Sequence, residues 1–208
     1  DITGVRIGYD PEYNEEGVDK ELFIAINRVI DFFSDLGASI KKIKIPQTKY
    51  ITPNFTQLVA AEAYSENKEL LGKSKELGPV YKDLLANGSN LDILKYVELL
   101  KYSREFKNQF NELFSSIDLV ICPPWPNPSL PMDVDSLGDL NSQGNLLRFT
   151  VPHNISGNPT ITVPNGFNNQ GMPLAFQLVA PHFREDLLFQ ASNHYQENTL
   201  WHVKHPKI

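Results

Sequence analysis

The stretch PHNISGNPTITVPNG, residues 152–166, is the most constrained part of this sequence. It places three prolines and two glycines around a run of strand-forming residues, Thr160 to Val163. Proline fixes the backbone angle φ and glycine tolerates positive φ, so such a segment can hold one conformation with little packing. We therefore predict a stiff loop that leads into a short buried strand, with Asn154 hydrogen-bonding across the turn.

The amino-terminal side of the chain alternates between strand and helix patterns. VRIGY at 5–9 predicts a strand, and apolar residues at helical spacing from 19 predict a helix that ends at Gly37. Residues 38–45 then predict a second strand. Strand, helix and strand in about 45 residues are typical of a βαβ crossover unit.

The remaining patterns continue this alternation. The continuous apolar run LVIC at 119–122 predicts a strand buried on both faces. Helices are predicted over 55–72, 78–88, 91–116 and 183–199, a strand over LAFQLVA at 174–180, and an irregular loop over 124–148. The sequence therefore predicts an α/β fold in a single unit, residues 1–208, with a mixed, partly parallel sheet flanked by helices.

Composition excludes several classes of function. The net charge of −6 and the absence of a basic run argue against non-specific nucleic-acid binding, and we expect no nucleic-acid partner. No apolar run reaches the ~18 residues of a membrane span. The single cysteine, Cys122, rules out an internal disulfide framework and is compatible with a reducing compartment, so the cytoplasm is favoured while the compartment stays open.

No complete set of catalytic residues emerges from the motifs. The sequence contains no G-x-S-x-G elbow and no glycine-rich phosphate loop. For each partial motif we favour a structural role: these are Ser65 with Lys68, Cys122 with His153, His202 with His205, Glu62 with Glu66, and Ser156. For Trp125, which stands between prolines, lining a ligand pocket and covering the edge of the core both stay open.

The constrained stretch belongs to a longer pattern that closely resembles the carboxyl-terminal end of the amidase signature family. The pattern consists of Asn154, Gly157, Pro159, Val163-Pro164, Gly166, Gly171, Pro173, Gln177, Glu185, Leu187-Leu188, Trp201-His202 and Pro206. Upstream, GVRIGYDPEYNEEGVD at 4–19, LGASI at 36–40 and DLVICPPWPNP at 118–128 also resemble this family. The fold implied is the carboxyl-terminal part of the amidase signature fold.

The resemblance implies hydrolysis of a carboxamide by a Ser–cis-Ser–Lys triad, without a cofactor or a metal. In the family the triad sits near a Gly-Ser-Ser-Gly-Gly run, whereas Ser-Ser occurs here only at 115–116, without glycine. The resemblance therefore implies that this chain holds no catalytic residue. The partners implied are the amino-terminal half of the same protein, which would carry the triad, and a small-molecule amide substrate.

The resemblance also assigns roles to residues of the constrained stretch and its surroundings. Candidates for the substrate pocket are Trp125, Thr150, Asn154, Ile155 and Gly157, and candidates for a structural role are Pro159, Pro164, Gly166 and Gln177. Two alternatives stay open: the amidase-type subunit of a tRNA-dependent amidotransferase, and a binding module derived from an amidase half. That subunit has an Asp-Gly-(Val/Ile)-Arg-(Tyr/Phe)-Gly run, absent after Glu62, and an acidic residue where this chain has Leu147-Arg148.

Overall fold

The computed structural model describes residues 2–46, 51–73, 77–128 and 146–205. The strands are β1 (Arg6–Tyr9), β2 (Ser39–Lys42), β3 (Leu119–Cys122), β4 (Thr160–Phe167) and β5 (Pro173–Val179). The helices are α1 (Pro11–Glu15), α2 (Lys20–Asp35), α3 (Ile51–Asn67), α4 (Pro79–Ser89), α5 (Ile93–Glu112), α6 (Val151–Ser156) and α7 (Glu185–Glu197). Short 3₁₀ segments follow α3 and α5, and another spans Trp201–Val203.

The strands form one mixed sheet in the order β2-β1-β3-β5-β4. Strand β1 is parallel to β2 on one side and to β3 on the other, and β5 is antiparallel to β3 and β4. All residues of β3 are buried, as its unbroken apolar run predicts for a central strand. The predicted mixed, partly parallel sheet flanked by helices is confirmed.

Helices cover both faces of this sheet. The apolar side of α2 buries Leu22, Ile26 and Phe33 in a core that also includes the inner side of α7. The Asp19 side chain caps α2 by accepting hydrogen bonds from the backbone N–H groups of Glu21 at 2.9 Å and Leu22 at 3.1 Å. The opposite face packs against Phe106 and Phe110 of α5 and Val151 of α6.

The constrained stretch differs from its prediction in two ways. The predicted loop at 152–157 contains the helix α6, with Pro152 in its first turn, where a missing N–H is harmless. Gly157 ends this helix in the left-handed region at φ 74°, and its N–H donates to the His153 carbonyl at 2.8 Å.

The strand is also longer than predicted. Instead of ending before Pro164, β4 continues to Phe167 with a bulge between Pro164 and Gly166. Proline is tolerated there because β4 is an edge strand among the described residues, so the side of the strand that faces away from β5 needs no N–H donor. Of the predicted loop over 124–148, residues 129–145 lie outside the described part of the chain.

Candidate functional site

The carboxyl ends of β1 and β3 define the candidate site. These neighbouring parallel strands end at the same edge of the sheet. From β1 the chain continues to β2, which lies on one side of β1, and it later reaches β3, which lies on the other side. The connections run over opposite faces, through α2 and through α3 to α5. Ligands of open α/β sheets bind outside the carboxyl ends of strands at such a switch point.

Asp10, directly after β1, has a structural role, because its carboxylate binds backbone N–H groups. It is 3% exposed, and its side chain accepts hydrogen bonds from the N–H of Tyr13 at 3.2 Å and of Ile45 at 2.8 Å. The first bond caps α1 and the second ties the segment after β2 to the end of β1. Both carboxylate oxygens are therefore engaged in holding the backbone, so Asp10 is a poor candidate for acid or base chemistry.

A Tyr13–Arg148 pair joins α1, which follows β1, to the turn that precedes α6. The Tyr13 hydroxyl donates to the Arg148 carbonyl, and Nη2 of Arg148 donates to the Tyr13 carbonyl at 2.7 Å. The guanidinium also lies 4.5 Å from the ring centroid of Phe149, which meets the Tyr13 ring edge-on at 4.7 Å. Burial raises the pKa of Tyr13 and lowers the pKa of Arg148.

Asn14 connects α1 to the central strand. Its Nδ2 donates to the Ile121 carbonyl at 3.1 Å, and the side chain is fully buried. Its Oδ1 finds no hydrogen-bond partner within the described ranges. The N–H of Asp19 donates to the Pro126 carbonyl at 2.8 Å, which holds the turn after β3 against the start of α2.

The side chains of Cys122 and His153 lie next to each other behind this edge, as a thiol and its base would have to. Sγ of Cys122 lies 4.0 Å from Nε2 of His153, and both side chains are buried. Burial raises the pKa of the Cys122 thiol to about 12 and lowers the pKa of His153 to about 3. Both groups are therefore neutral at neutral pH, and the interpretation of Cys122 as a buried strand residue holds over that of a thiolate nucleophile.

Gln177 ties the constrained stretch to the sheet. From β5, its Nε2 donates to the Phe149 carbonyl at 3.0 Å and lies 3.4 Å from Sγ of Cys122. The turn that enters α6 is thus fixed by a side chain of the antiparallel strand. This contact gives a physical basis for the structural role expected of Gln177.

The predicted pocket residues fall into two places. Thr150, Asn154, Ile155 and Gly157 lie on α6 or at its ends, whereas Trp125 lies in the turn after β3. Asn154 and Gly157 are exposed, and Trp125, Thr150 and Ile155 are half-buried. In the described part of the chain no hydrogen bond or ring contact joins Trp125 to α6.

The turn after α6 is held by a different residue from the one expected. Asn154 points to solvent, and it is Asn158 that donates from Nδ2 to the Ala180 carbonyl at 2.9 Å. The N–H of Ala180 donates back to the Pro159 carbonyl at 3.0 Å. Asn158 and Asn154 carry the same side chain four positions apart, so the sequence pattern did not distinguish them.

The other partial motifs do not form a reactive site. Ser65 and Lys68 are exposed at the end of α3, and Ser156 is buried with its hydroxyl against the His153 carbonyl at 3.5 Å. Across residues 2–46, 51–73, 77–128 and 146–205, no group of histidine, cysteine or acidic side chains is placed to hold a metal ion. Within the same ranges, no helix is both long and apolar enough to cross a membrane.

The Tyr13–Arg148 pair is the feature of this edge that the sequence did not indicate. Its members are 135 positions apart and follow no recognisable spacing. At this edge the rings of Tyr13 and Phe149 are buried, and the half-buried guanidinium of Arg148 supplies a positive charge. Its described residues include no activated nucleophile.

Comparison with known proteins identifies the family. The family model described as Amidase matches residues 2–189. The chain therefore belongs to the amidase family, as its motifs indicate.

The relatives are about twice as long as this chain. A glutamyl-tRNA(Gln) amidotransferase subunit of Pseudomonas fluorescens (strain SBW25) is 28% identical over 99% of this chain but only 47% of its own length. Among solved structures, an amidase superposes with a TM-score of 0.84 at 18% identity, over 96% of this chain and 46% of its own. A substrate complex of 6-aminohexanoate cyclic dimer hydrolase gives 0.81 at 20% identity, over 100% and 48%.

Proposed function

We propose that this chain is the carboxyl-terminal part of an amide hydrolase, which converts a carboxamide to a carboxylate and ammonia or an amine. The observation that carries the proposal is that 99% of the chain matches only 47% of a curated relative. The nucleophile and its base would then lie outside residues 1–208, in agreement with an edge whose described residues include no activated nucleophile.

In this proposal the chain, acting as a single α/β unit, supplies part of the sheet and one wall of the substrate site. The wall consists of Trp125, Thr150, Asn154, Ile155 and Gly157. Its stiffness comes from Pro159, Pro164, Gly166 and Gln177, and the bond from Gln177 to the Phe149 carbonyl at 3.0 Å supports that role. The partner is the amino-terminal half of the same protein, and the substrate is a small molecule with an amide bond.

A fixed wall has a clear chemical use in amide hydrolysis. The reaction is fast only when the carbonyl carbon is held within reach of the nucleophile and in line with it. A turn that is fastened by buried side chains loses little entropy when it orients a substrate. No cofactor is needed, because serine and lysine can supply both the nucleophile and the base.

The test is ammonia release from a panel of carboxamides by the natural protein that carries this sequence. Trp125→Ala should raise KM or lower kcat/KM by about 10-fold or more, since it removes a large part of the wall. Phe189→Ala is the matched control, because Phe189 is 66% exposed and lies on α7, which packs against the face of the sheet opposite to α6. Equal kinetics for the two variants would remove Trp125 from the site.

A second candidate is the amidase-type subunit of a tRNA-dependent amidotransferase. The 28% identity to the glutamyl-tRNA(Gln) amidotransferase subunit of Pseudomonas fluorescens favours it. Against it stand Leu147-Arg148 in place of an acidic residue and the missing glycine-containing run after Glu62. Amidation of glutamyl-tRNA(Gln) by the natural protein together with partner subunits would favour this candidate over a free-standing hydrolase.

A further inference from the structure

We propose that Tyr13 is a positioning residue for amide hydrolysis, because its hydroxyl fixes the turn that carries Thr150 into the wall of the substrate site. The inference rests on the proposed function, in which Thr150 belongs to that wall, and it adds a residue of helix α1. Tyr13 is 8% exposed, so it acts through the backbone of Arg148 rather than by touching the substrate.

Three successive carbonyl groups before α6 are each held by a donor from a different part of the chain. The Leu147 carbonyl accepts from the turn itself, from the N–H of Thr150 at 3.0 Å and from its Oγ1 at 3.1 Å. The Phe149 carbonyl accepts from a side chain of β5 at 3.0 Å, and the Arg148 carbonyl accepts from the Tyr13 hydroxyl. The position of Thr150 therefore depends on donors from β5 and α1 as well as on the turn.

Helix α1 is a firm support for the Tyr13 hydroxyl. Before Tyr13, the Asp10 carboxylate accepts from the N–H of Ile45 at 2.8 Å, which ties α1 to the segment after β2. After Tyr13, Nδ2 of Asn14 donates to the Ile121 carbonyl of the central strand at 3.1 Å. Tyr13 thus stands between two positions that the sheet holds in place, and such support keeps a site within its productive geometry.

Further contacts hold the Tyr13 ring against the turn. The ring meets the Phe149 ring edge-on at 4.7 Å, and the Arg148 guanidinium lies 5.6 Å from its centroid. Nη2 of Arg148 donates back to the Tyr13 carbonyl at 2.7 Å. Burial raises the pKa of Tyr13, so the hydroxyl stays protonated and remains a donor at neutral pH. Removal of the hydroxyl alone therefore breaks one of two hydrogen bonds between α1 and the turn.

The group that this arrangement orients is the hydroxyl of Thr150. Thr150 is half-buried, and its Oγ1 donates its only proton to the Leu147 carbonyl. The lone pairs of Oγ1 can accept a hydrogen bond from the N–H of an amide substrate. A contact that is displaced by about 1 Å can cost about 100-fold in rate, so the orientation of this turn matters for hydrolysis.

A double-mutant cycle on the natural protein tests the proposal. Tyr13→Phe keeps the ring and removes its hydroxyl, and Thr150→Val removes the hydroxyl that Tyr13 is proposed to position. We expect each single change to lower kcat/KM for a carboxamide that the protein hydrolyses by about 10-fold. Because the two residues act as a unit, Tyr13→Phe should lower kcat/KM by less than about 3-fold in the Thr150→Val background.

A control and a stability measurement separate positioning from a purely structural role. Tyr96→Phe is the control, because Tyr96 is half-buried in the first turns of α5, whereas Phe106 and Phe110 further along that helix pack beside α6. This variant should retain the kcat/KM of the unchanged protein. Urea unfolding of every variant establishes that the protein is folded under the assay conditions, and a purely structural Tyr13 would alter the unfolding midpoint without altering kcat/KM.

Four results would overturn the proposal. These are equal kcat/KM for Tyr13→Phe and Tyr96→Phe, a Thr150→Val variant as active as the unchanged protein, an equal effect of Tyr13→Phe in both backgrounds, and a Tyr13→Phe protein that does not fold. The failure of the proposed function is a separate outcome, because the unchanged protein would then hydrolyse no carboxamide of the panel. Hydrolysis by the unchanged protein with any of the four results would refute the role of Tyr13 alone.

Discussion

At the scale of single residues, buried polar side chains of the candidate site act mainly on the backbone. Asp10 holds two N–H groups, Gln177 holds the Phe149 carbonyl, and Asn158 holds the Ala180 carbonyl. The bonds from Ile45 to Asp10 and from Gln177 to Phe149 join segments that the strands and helices do not connect by themselves. A buried polar group that loses its partner costs about 1–3 kcal/mol, so each position is sensitive to substitution.

Gly157→Val should destabilise the fold by about 1–2 kcal/mol, because Gly157 has φ 74° and a β-carbon at this position would lie 3.3 Å from Cε1 of His182. The measurement is urea unfolding of the natural protein and the variant. Gly72→Val is the control, since Gly72 has an ordinary φ and a β-carbon added there would meet no atom within 4 Å. Equal midpoints for the two variants would contradict a conformational role for Gly157.

His153 should make stability depend on pH. Burial lowers its pKa in the folded protein to about 3, whereas the pKa of an unfolded histidine is about 6.5. Between these values the unfolded state binds more protons, so the free energy of unfolding is fully present above about pH 6.5 and falls as the pH drops toward 3. The expected slope from this residue is up to about 1.4 kcal/mol per pH unit.

Denaturant unfolding at a series of pH values checks this prediction. The variant His153→Gln lacks the titrating group and should lose that part of the slope below pH 6.5. His202→Gln serves as the control, because His202 is exposed. A His153→Gln protein with the pH dependence of the unchanged protein would show that His153 is not buried as a neutral imidazole.

At the scale of elements, the constrained stretch is a helix and a strand joined by a turn that hydrogen bonds hold in place. The hydrogen bond from Gln177 holds the turn before helix α6. The helix ends at Gly157, and β4 follows after Asn158 and Pro159. The prolines thus occupy positions that need no donor, at the start of a helix and on an edge strand. This explains why so many turn-forming residues surround a regular segment.

Gln177→Met should uncouple the turn before α6 from β5. The change keeps the side-chain volume close to that of glutamine but removes the donor to the Phe149 carbonyl, so the expected loss is about 1–3 kcal/mol of unfolding free energy. Gln170→Met is the control, because Gln170 is exposed. Urea unfolding measures both, and a Gln177→Met variant as stable as the control would show that the bond contributes nothing.

Apolar patterns predict the elements that pack against the core, whereas local geometry decides the others. The helix α2 is evident from the helical spacing of its apolar residues, and the strand β3 from its unbroken apolar run. At helix α6 the sequence predicts a loop, because six residues rich in turn-formers carry no helical period. The Tyr13–Arg148 pair could not be predicted, because a contact across 135 positions leaves no local pattern.

At the scale of the whole molecule, the two edge strands of the sheet, β2 and β4, differ in the side chains that they carry. The β2 strand exposes lysines, whereas β4 contains no charged side chain and ends at Phe167, whose ring contacts that of Trp201. This chain spans about half the length of the curated relative from Pseudomonas fluorescens. In the proposed function, residues 1–208 are therefore a structural half whose chemistry depends on the other half.

The most direct test compares ammonia release by the natural protein with that by residues 1–208 produced alone, on the same carboxamides. We expect hydrolysis by the natural protein and none by the isolated chain, whose cysteine and histidine at the site have pKa values that keep both neutral. Amide hydrolysis by residues 1–208 alone would contradict the proposed function, because the catalytic residues would then lie within this chain.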